Sequence, residues 1–260
     1  MERLFWGEKK MIDLHTHILP GIDDGAGSIE AALEMAEMAA ASGTLAVAAT
    51  SHGNTGAFTI EQYWDAYEEL SQELTRNDIP LELYPGMEIF MDHNVEQKLA
   101  DGSLLTINET RYVLVEFALE EELWMVNDYL QMLDEAGYIP VIAHAERYAF
   151  VQRFPEEVYQ WVMRGCVIQV NKGSLLGAYG KKEADMALSL LSHNLIHVVA
   201  SDAHSPQHRT PKMGNAVRFL NEAVPPKYRE LLLSENPRRI VSGEEIAGFP
   251  PKPYRRNRYW

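Results

Sequence analysis

Residues 11–17 read Met-Ile-Asp-Leu-His-Thr-His, a short apolar run that breaks into two histidines spaced two apart. Alternate residues of an extended chain face the same side, so His15 and His17 leave the strand end together. Residues 196–204, Ile-His-Val-Val-Ala-Ser-Asp-Ala-His, repeat the arrangement with Asp202 and His204. Five more apolar runs lie between them, at 45–49 (LAVAA), 81–84 (LELY), 112–115 (YVLV), 139–143 (IPVIA) and 166–170 (CVIQV). Short, continuously apolar runs are what parallel strands covered on both faces require.

Helical patterns alternate with these strands. Residues 28–42 carry Ser28 as N-cap and Gly43 as stop. Segments 60–76, 122–136, 155–164 (Pro155 in its first turn), 181–193 and 212–223 follow, with a short helix expected near 94–100. Repeated strand–helix units imply right-handed crossovers and a parallel sheet. We expect an α/β fold, a TIM-barrel-like single domain, with a doubly wound open sheet as the alternative. Residues 1–10 read as an N-terminal extension, in which Leu4, Phe5 and Trp6 are apolar, and 11–249 as the barrel. Residues 250–260 form a basic, aromatic tail with Lys252, Arg255, Arg256 and Arg258.

The polar residues fall at the strand ends. After the second strand comes His52, after the third Glu88, after the fourth Glu116, after the fifth His144 and after the sixth Asn171. In a parallel barrel these ends share one mouth, where active sites form. Imidazole and carboxylate suit divalent Zn, Mn or Fe. So many of them exceed the needs of one ion and imply a cluster of two or three. Asp23 and Asp24 lie in a glycine-flanked turn, which turn chemistry also explains. Asn171 reads as a helper or cap. His93, His193 and His197 belong to no motif.

Composition narrows the function. With 23 Lys and Arg against 38 Asp and Glu, the formal charge of the 260-residue chain is −15. A nucleic-acid binder wants a basic face, so nucleic acid is not an expected partner. No apolar stretch reaches the roughly 20 residues of a membrane span, and 1–10 lacks the core of a signal peptide. One cysteine, Cys166, excludes an intrachain disulfide and agrees with the cytoplasm. Six positions after it stands Lys172, with no glycine-rich loop between. Cys166 therefore reads as a packed core thiol, not a catalytic nucleophile.

Together, the HTH of 15–17, TSH of 50–52, GMEI of 86–89, AHAERY of 143–148 and SDAH of 201–204 resemble the PHP (polymerase and histidinol phosphatase) family. DLHTHILPGIDDGA at 13–26 and ENPRRI at 235–240 resemble the branch of bacterial metal-dependent tyrosine-protein phosphatases from capsule and exopolysaccharide operons. The resemblance implies a distorted (βα)7 PHP-type barrel with up to three metals, often manganese. It implies His15, His17, Asp24, His52, Glu88, Glu116, His144, Asp202 and His204 as ligands. It implies Arg147 and Arg209 as phosphate-contacting groups, a role that a planar guanidinium fork suits. Hydroxide generated at the metals would attack phosphorus, and His52 or a metal-bound water would protonate the leaving phenolate. The implied partner is a phosphotyrosine protein, a cognate bacterial tyrosine kinase. Histidinol phosphate or another small phosphate ester, an exonuclease substrate, and a non-catalytic metal-binding module are the competing readings. Three positions depart from the pattern. Ser51 and Gly53 stand where a proline and a second histidine are expected, and Ala145 where proline is expected.

Overall fold

The computed structural model describes residues 11–254. The expectations for 1–10 and for Arg255, Arg256 and Arg258 lie outside the described residues. The strands are β1 (Met11–Thr16), β2 (Thr44–Ala49), β3 (His52–Gly53), β4 (Glu82–Pro85), β5 (Glu88–Phe90), β6 (Tyr112–Glu116), β7 (Ile139–Ile142), β8 (Val167–Asn171) and β9 (Val198–Ala200). All their pairings are parallel. One sheet runs β1-β2-β4 and the other β3-β5-β6-β7-β8-β9.

All seven expected strands are present, and the second and third each break in two. Thr50 and Ser51 separate β2 from β3, and Gly86 and Met87 separate β4 from β5. The other ends of the two sheets meet through a single bridge, Thr16 with Ala203. There the Asp202 N–H donates to His15 O at 2.9 Å and the His17 N–H to Ala203 O at 2.8 Å. The result is a curled parallel sheet in which the end of β9 lies beside the end of β1.

Helices follow the expected segments: Ile29–Ala41, Ile60–Arg76, Val95–Ala100, Leu123–Glu135, Glu156–Met163, Lys181–Ser192 and Gly214–Ala223. Ser28 caps the first of them through the Ala31 N–H. Pro155 is the N-cap of its helix and not part of the first turn. Short helices at Ala149–Arg153, Lys172–Leu175, Pro226–Glu230 and Asn236–Val241 were not expected, because one turn shows no periodicity. The long helices pack one face of the sheet, burying Met35, Leu70, Leu133 and Trp161 against Val47, Val115 and Ile168.

The inner face changes character along its length. Leu14, Leu114, Val141, Val167 and Val198 form an apolar layer closed by Ile240 and Val241. Two residues further on, the same faces of β6, β8 and β9 carry Glu116, Gln169 and, after Ala200, Asp202. On β1 the change is abrupt. Its register against β2 slips between Asp13 and Thr16, a bulge that lets both Leu14 and the following His15 serve the interior.

Candidate metal centre

The nine expected ligands converge on the mouth of the sheet. Among the described residues, donor atoms of His17, Asp24, His52 and His204 lie within 4.8 Å of one another, as do those of His15, His17 and Asp202, and those of His52, Glu88 and Glu116. Glu88 is the hub. Its Oε2 is 3.1 Å from His15 Nε2, 3.2 Å from His17 Nε2 and 3.3 Å from His52 Nδ1, while its Oε1 is 2.7 Å from His144 Nε2. His144 belongs to none of the three sets and reaches the cluster through Glu88. Asp24 stands at the rim, its side chain 65% exposed, with Oδ1 3.4 Å from His52 Nε2 and 3.3 Å from His204 Nε2.

The tautomers of the two innermost histidines follow from their neighbours. The His144 backbone N–H donates to Gln169 Oε1 at 2.9 Å, so that oxygen is an acceptor. It also lies 3.0 Å from His15 Nδ1, which must therefore carry the proton of a neutral ring. His17 Nδ1 sits 2.9 Å from Asp23 Oδ2 and donates likewise. Each Nε2 then presents a lone pair, and the two are only 3.2 Å apart. Between them and the carboxylates of Glu88 and Asp202, a divalent cation is the natural occupant, with Gln169 and Asp23 fixing the rings from behind. Asp202 Oδ1 and His144 Nδ1 are buried with no hydrogen-bond partner, and Asp202 Oδ1 faces this position. The donor set thus fits a metal cluster.

The electrostatics of these side chains agree. Burial pulls His15 down, but Glu88 and Asp202 more than offset it and push the imidazole up to about 9. His17 is likewise opposed by burial and pushed up to about 9 by Asp23 and Glu88. Burial lowers His204 to about 4, helped by the nearby charge of His17 and Arg209. Burial raises Asp23, but its bond from His17 dominates and holds it at about 2. Metal binding would displace protons from His15 and His17.

Arg147 and Arg209 meet beside the cluster. Arg209 Nη2 lies 2.5 Å and Arg147 Nη1 3.8 Å from Asp202 Oδ2, which also accepts from Asn171 Nδ2 at 2.6 Å. Asp202 therefore divides its oxygens, one toward the histidines and one toward the cations. His144, Asp202 and Arg209 all hold positive φ (32°, 51° and 53°), backbone strain concentrated at this mouth. Lys172 pins the Arg209 loop by donating to the Thr210 and Lys212 carbonyls. A groove of about 950 Å³ opens beside Arg209, bordered by Met38, Leu176, Tyr179 and His208.

Several contributors carry no sequence signal. Asp23 resembles any turn residue, yet it holds His17, the Gly25 N–H and the His52 N–H. Gln169, Lys172 and Tyr179 stand outside every motif. Glu146 lies within one, where it accepts from Ser174 and the Asn171 N–H. Gly53 sits in a tight place for a second histidine, since a Cβ there would lie 3.0 Å from that of Met87, which would have to shift. Cys166 is buried, and burial pushes its thiol up to about 12, as a core thiol requires. His197 is a buried core residue, His93 is exposed, and His193 stacks on Tyr254. No helix among the described residues is long and apolar enough to cross a membrane.

Comparison with known proteins places this geometry. The capsular polysaccharide synthesis CpsB/CapC family matches residues 11–242. Tyrosine-protein phosphatase YwqE of Bacillus subtilis is 37% identical over 250 residues, covering 95% of this chain and 98% of its own. Tyrosine-protein phosphatase CpsB of Streptococcus pneumoniae is 29% identical, covering 91% and 100%. A crystal structure from the work describing YwqE and CpsB as unique metal-dependent tyrosine phosphatases superposes with a TM-score of 0.89 at 37% identity, covering 95% of this chain and 100% of that one. The phosphotriesterase of Mycobacterium tuberculosis shares only the fold, with a TM-score of 0.60 at 9% identity, covering 93% and 96%. With nearly its whole described length matched, the chain belongs to the CpsB/CapC capsular polysaccharide synthesis family.

Proposed function

We propose that this chain is a metal-dependent protein-tyrosine phosphatase acting in the cytoplasm on a phosphotyrosine protein, its cognate tyrosine kinase in capsule or exopolysaccharide synthesis. The observation that carries the reading is Asp202, which presents one oxygen to the histidine cluster and the other to two arginines. A phosphate dianion needs both surroundings at once. The family relatives named tyrosine-protein phosphatases support the substrate class. The groove of about 950 Å³ beside Arg209 leaves space for polypeptide around the phosphotyrosine, which favours protein over histidinol phosphate.

We read the fold as the distorted (βα)7 barrel, counting β2 with β3 and β4 with β5 as one broken strand each, with 11–249 as its span. His15, His17, Asp24, His52, Glu88, Glu116, His144, Asp202 and His204 would hold two or three ions, manganese first among them. When bound, the ions supply a nucleophile from water at neutral pH and neutralise phosphoryl oxygens. Arg147 and Arg209 bind and orient the phosphoryl group, their N–H forks exchanging part of their bond to Asp202 for the substrate. His52 has Nδ1 2.8 Å from Glu116 and Nε2 toward Asp24, so we assign it to the ligand set. The leaving phenolate, of pKa about 10, needs little help from an acid. Residues 250–254 do not hang free. Asn194 donates to Pro250 O and the Lys252 N–H to His193 O, which docks the start of the tail on the end of the helix at 181–192.

Purified chain stripped of metal and refilled with Mn²⁺ tests this. Phosphotyrosine peptide should turn over only after refilling, and much faster than histidinol phosphate. Turnover that survives chelation, or none with metal bound, overturns the reading.

A further inference from the structure

We propose that Tyr179 is a positioning residue that sets Arg147 and Arg209 together for phosphate, an inference that rests on the phosphate-binding role given to them above. The two arginines come from separate segments, the turn after β7 and the loop after β9. Tyr179 comes from a third, the turn that follows the helix at Lys172–Leu175. The Arg147 guanidinium carbon lies over its ring, 5.5 Å from the centroid. Tyr179 and Arg209 line the same groove, and the Arg209 charge opposes the upward push of burial on the Tyr179 phenol. One side chain therefore contacts one cation through its ring and stands beside the other.

The seat of the ring is built for it. A Cβ on Gly173 would stand 2.6 Å from Tyr179 Cε2 and 3.1 Å from Cζ. The φ of Gly173 is not positive, so room for the ring, and not backbone freedom, is what glycine supplies there. The arrangement solves a specific problem. Arg147 and Arg209 are long, rotamer-rich side chains, 28% and 31% exposed, and otherwise share a single oxygen of Asp202. An arriving phosphate competes for the N–H edges that Asp202 holds. The Tyr179 ring holds the Arg147 cation without offering it a competing oxygen, so the guanidinium stays aimed while it changes partner.

The test is calorimetric titration of inorganic phosphate into the manganese-loaded full chain, alongside steady-state kinetics on a phosphotyrosine peptide. Tyr179→Leu should weaken phosphate binding about tenfold and raise KM similarly, with a smaller change in kcat. Tyr179→Phe keeps the ring that Arg147 contacts and should stay within about threefold of the parent. Metal content and melting temperature should match the parent. In an Arg147→Ala, Arg209→Ala background, Tyr179→Leu should change nothing further, since it acts through those groups. Phosphate affinity within about twofold of the parent in Tyr179→Leu overturns the proposal, and so does a loss accompanied by lost metal. If Tyr179→Leu does not fold, Gly173→Ala displaces the ring without removing it. Weaker phosphate binding then supports the proposal, and unchanged binding overturns it. Phosphate binding decides this inference even if the peptide is not hydrolysed, an outcome that would sink only the proposed activity.

Discussion

His15 and His197 are both buried, one at each end of the same curled sheet, and their protonation is opposite. Burial takes His197 down to about 4, and its Nδ1 accepts from the Ile168 N–H at 3.1 Å. The same burial acts on His15, yet Glu88 and Asp202 push it up to about 9. Desolvation alone makes a neutral core histidine, while desolvation beside two carboxylates makes a cation, or a place for one. The two ends divide the labour accordingly. The layer containing Leu14, Leu114, Val141 and Val198 adds apolar burial to the larger core under the helices. The layer containing Glu88, His144 and Asp202 is where stability is spent on concentrated charge and positive φ.

The division is broken most severely at Asp202. Asp202→Ala removes the acceptor that the two arginines share and one side of the histidine cluster. Phosphotyrosine hydrolysis should fall by about 10³-fold or more at saturating manganese. A drop of less than about tenfold would mean that the mouth is not the catalytic layer. The converse change lies two residues before Glu116. Leu114→Ala should cost about 2–5 kcal/mol of unfolding free energy in urea. Metal affinity, measured well below the melting temperature, should stay within about threefold of the parent. A larger shift would show that the two layers are not separable.

The same division explains what the sequence reveals and what it hides. His15, Glu116, His144 and Asp202 were legible because each ends an apolar run, and a parallel sheet gathers such ends. The helix at 29–41 was legible from period and cap and that at 60–76 from period, and Ser28 and Thr59 both bond as caps do. Gln169 was not, because an isolated amide on an inner face looks like any other glutamine until the His144 N–H is seen to fix its orientation. The breaks after β2 and β4 leave β3 with two residues and β5 with three, too short for a pattern. The bulge at Leu14 and His15 is likewise a register fact. It exists only between two strands, so neither strand alone records it.

The far end carries its own pH signature in the metal-free protein. His197 has a folded pKa of about 4 against an unfolded value near 6.5. A depressed value means that its contribution is present above the unfolded pKa and is lost as pH falls toward 4. Between pH 7 and 4.5 the unfolded chain takes up the proton that the folded chain refuses, a loss on the order of 2–3 kcal/mol. His197→Asn, which keeps an acceptor for the Ile168 N–H, should lose about that much less over the same interval in urea unfolding. Parallel pH curves for parent and variant would show that His197 does not stay neutral in the core.

The smallest effect tests whether the mouth depends on support from behind as well as on its ligands. Gln169 touches no proposed ion, but its Oε1 accepts from His15 Nδ1 and the His144 N–H, and its Nε2 donates to Asn171. Through Asn171 the chain of bonds reaches Asp202. Gln169→Leu preserves bulk and burial, so the sheet should fold. It releases the His15 ring, whose neutral form can then place its proton on Nε2, where the lone pair is needed. Manganese affinity should fall about 10- to 100-fold, with turnover at saturating metal much less affected. Excess metal should therefore rescue Gln169→Leu and not Asp202→Ala. If both variants respond alike to added metal, then ligands and supports are not distinct and the layer acts as one cooperative unit.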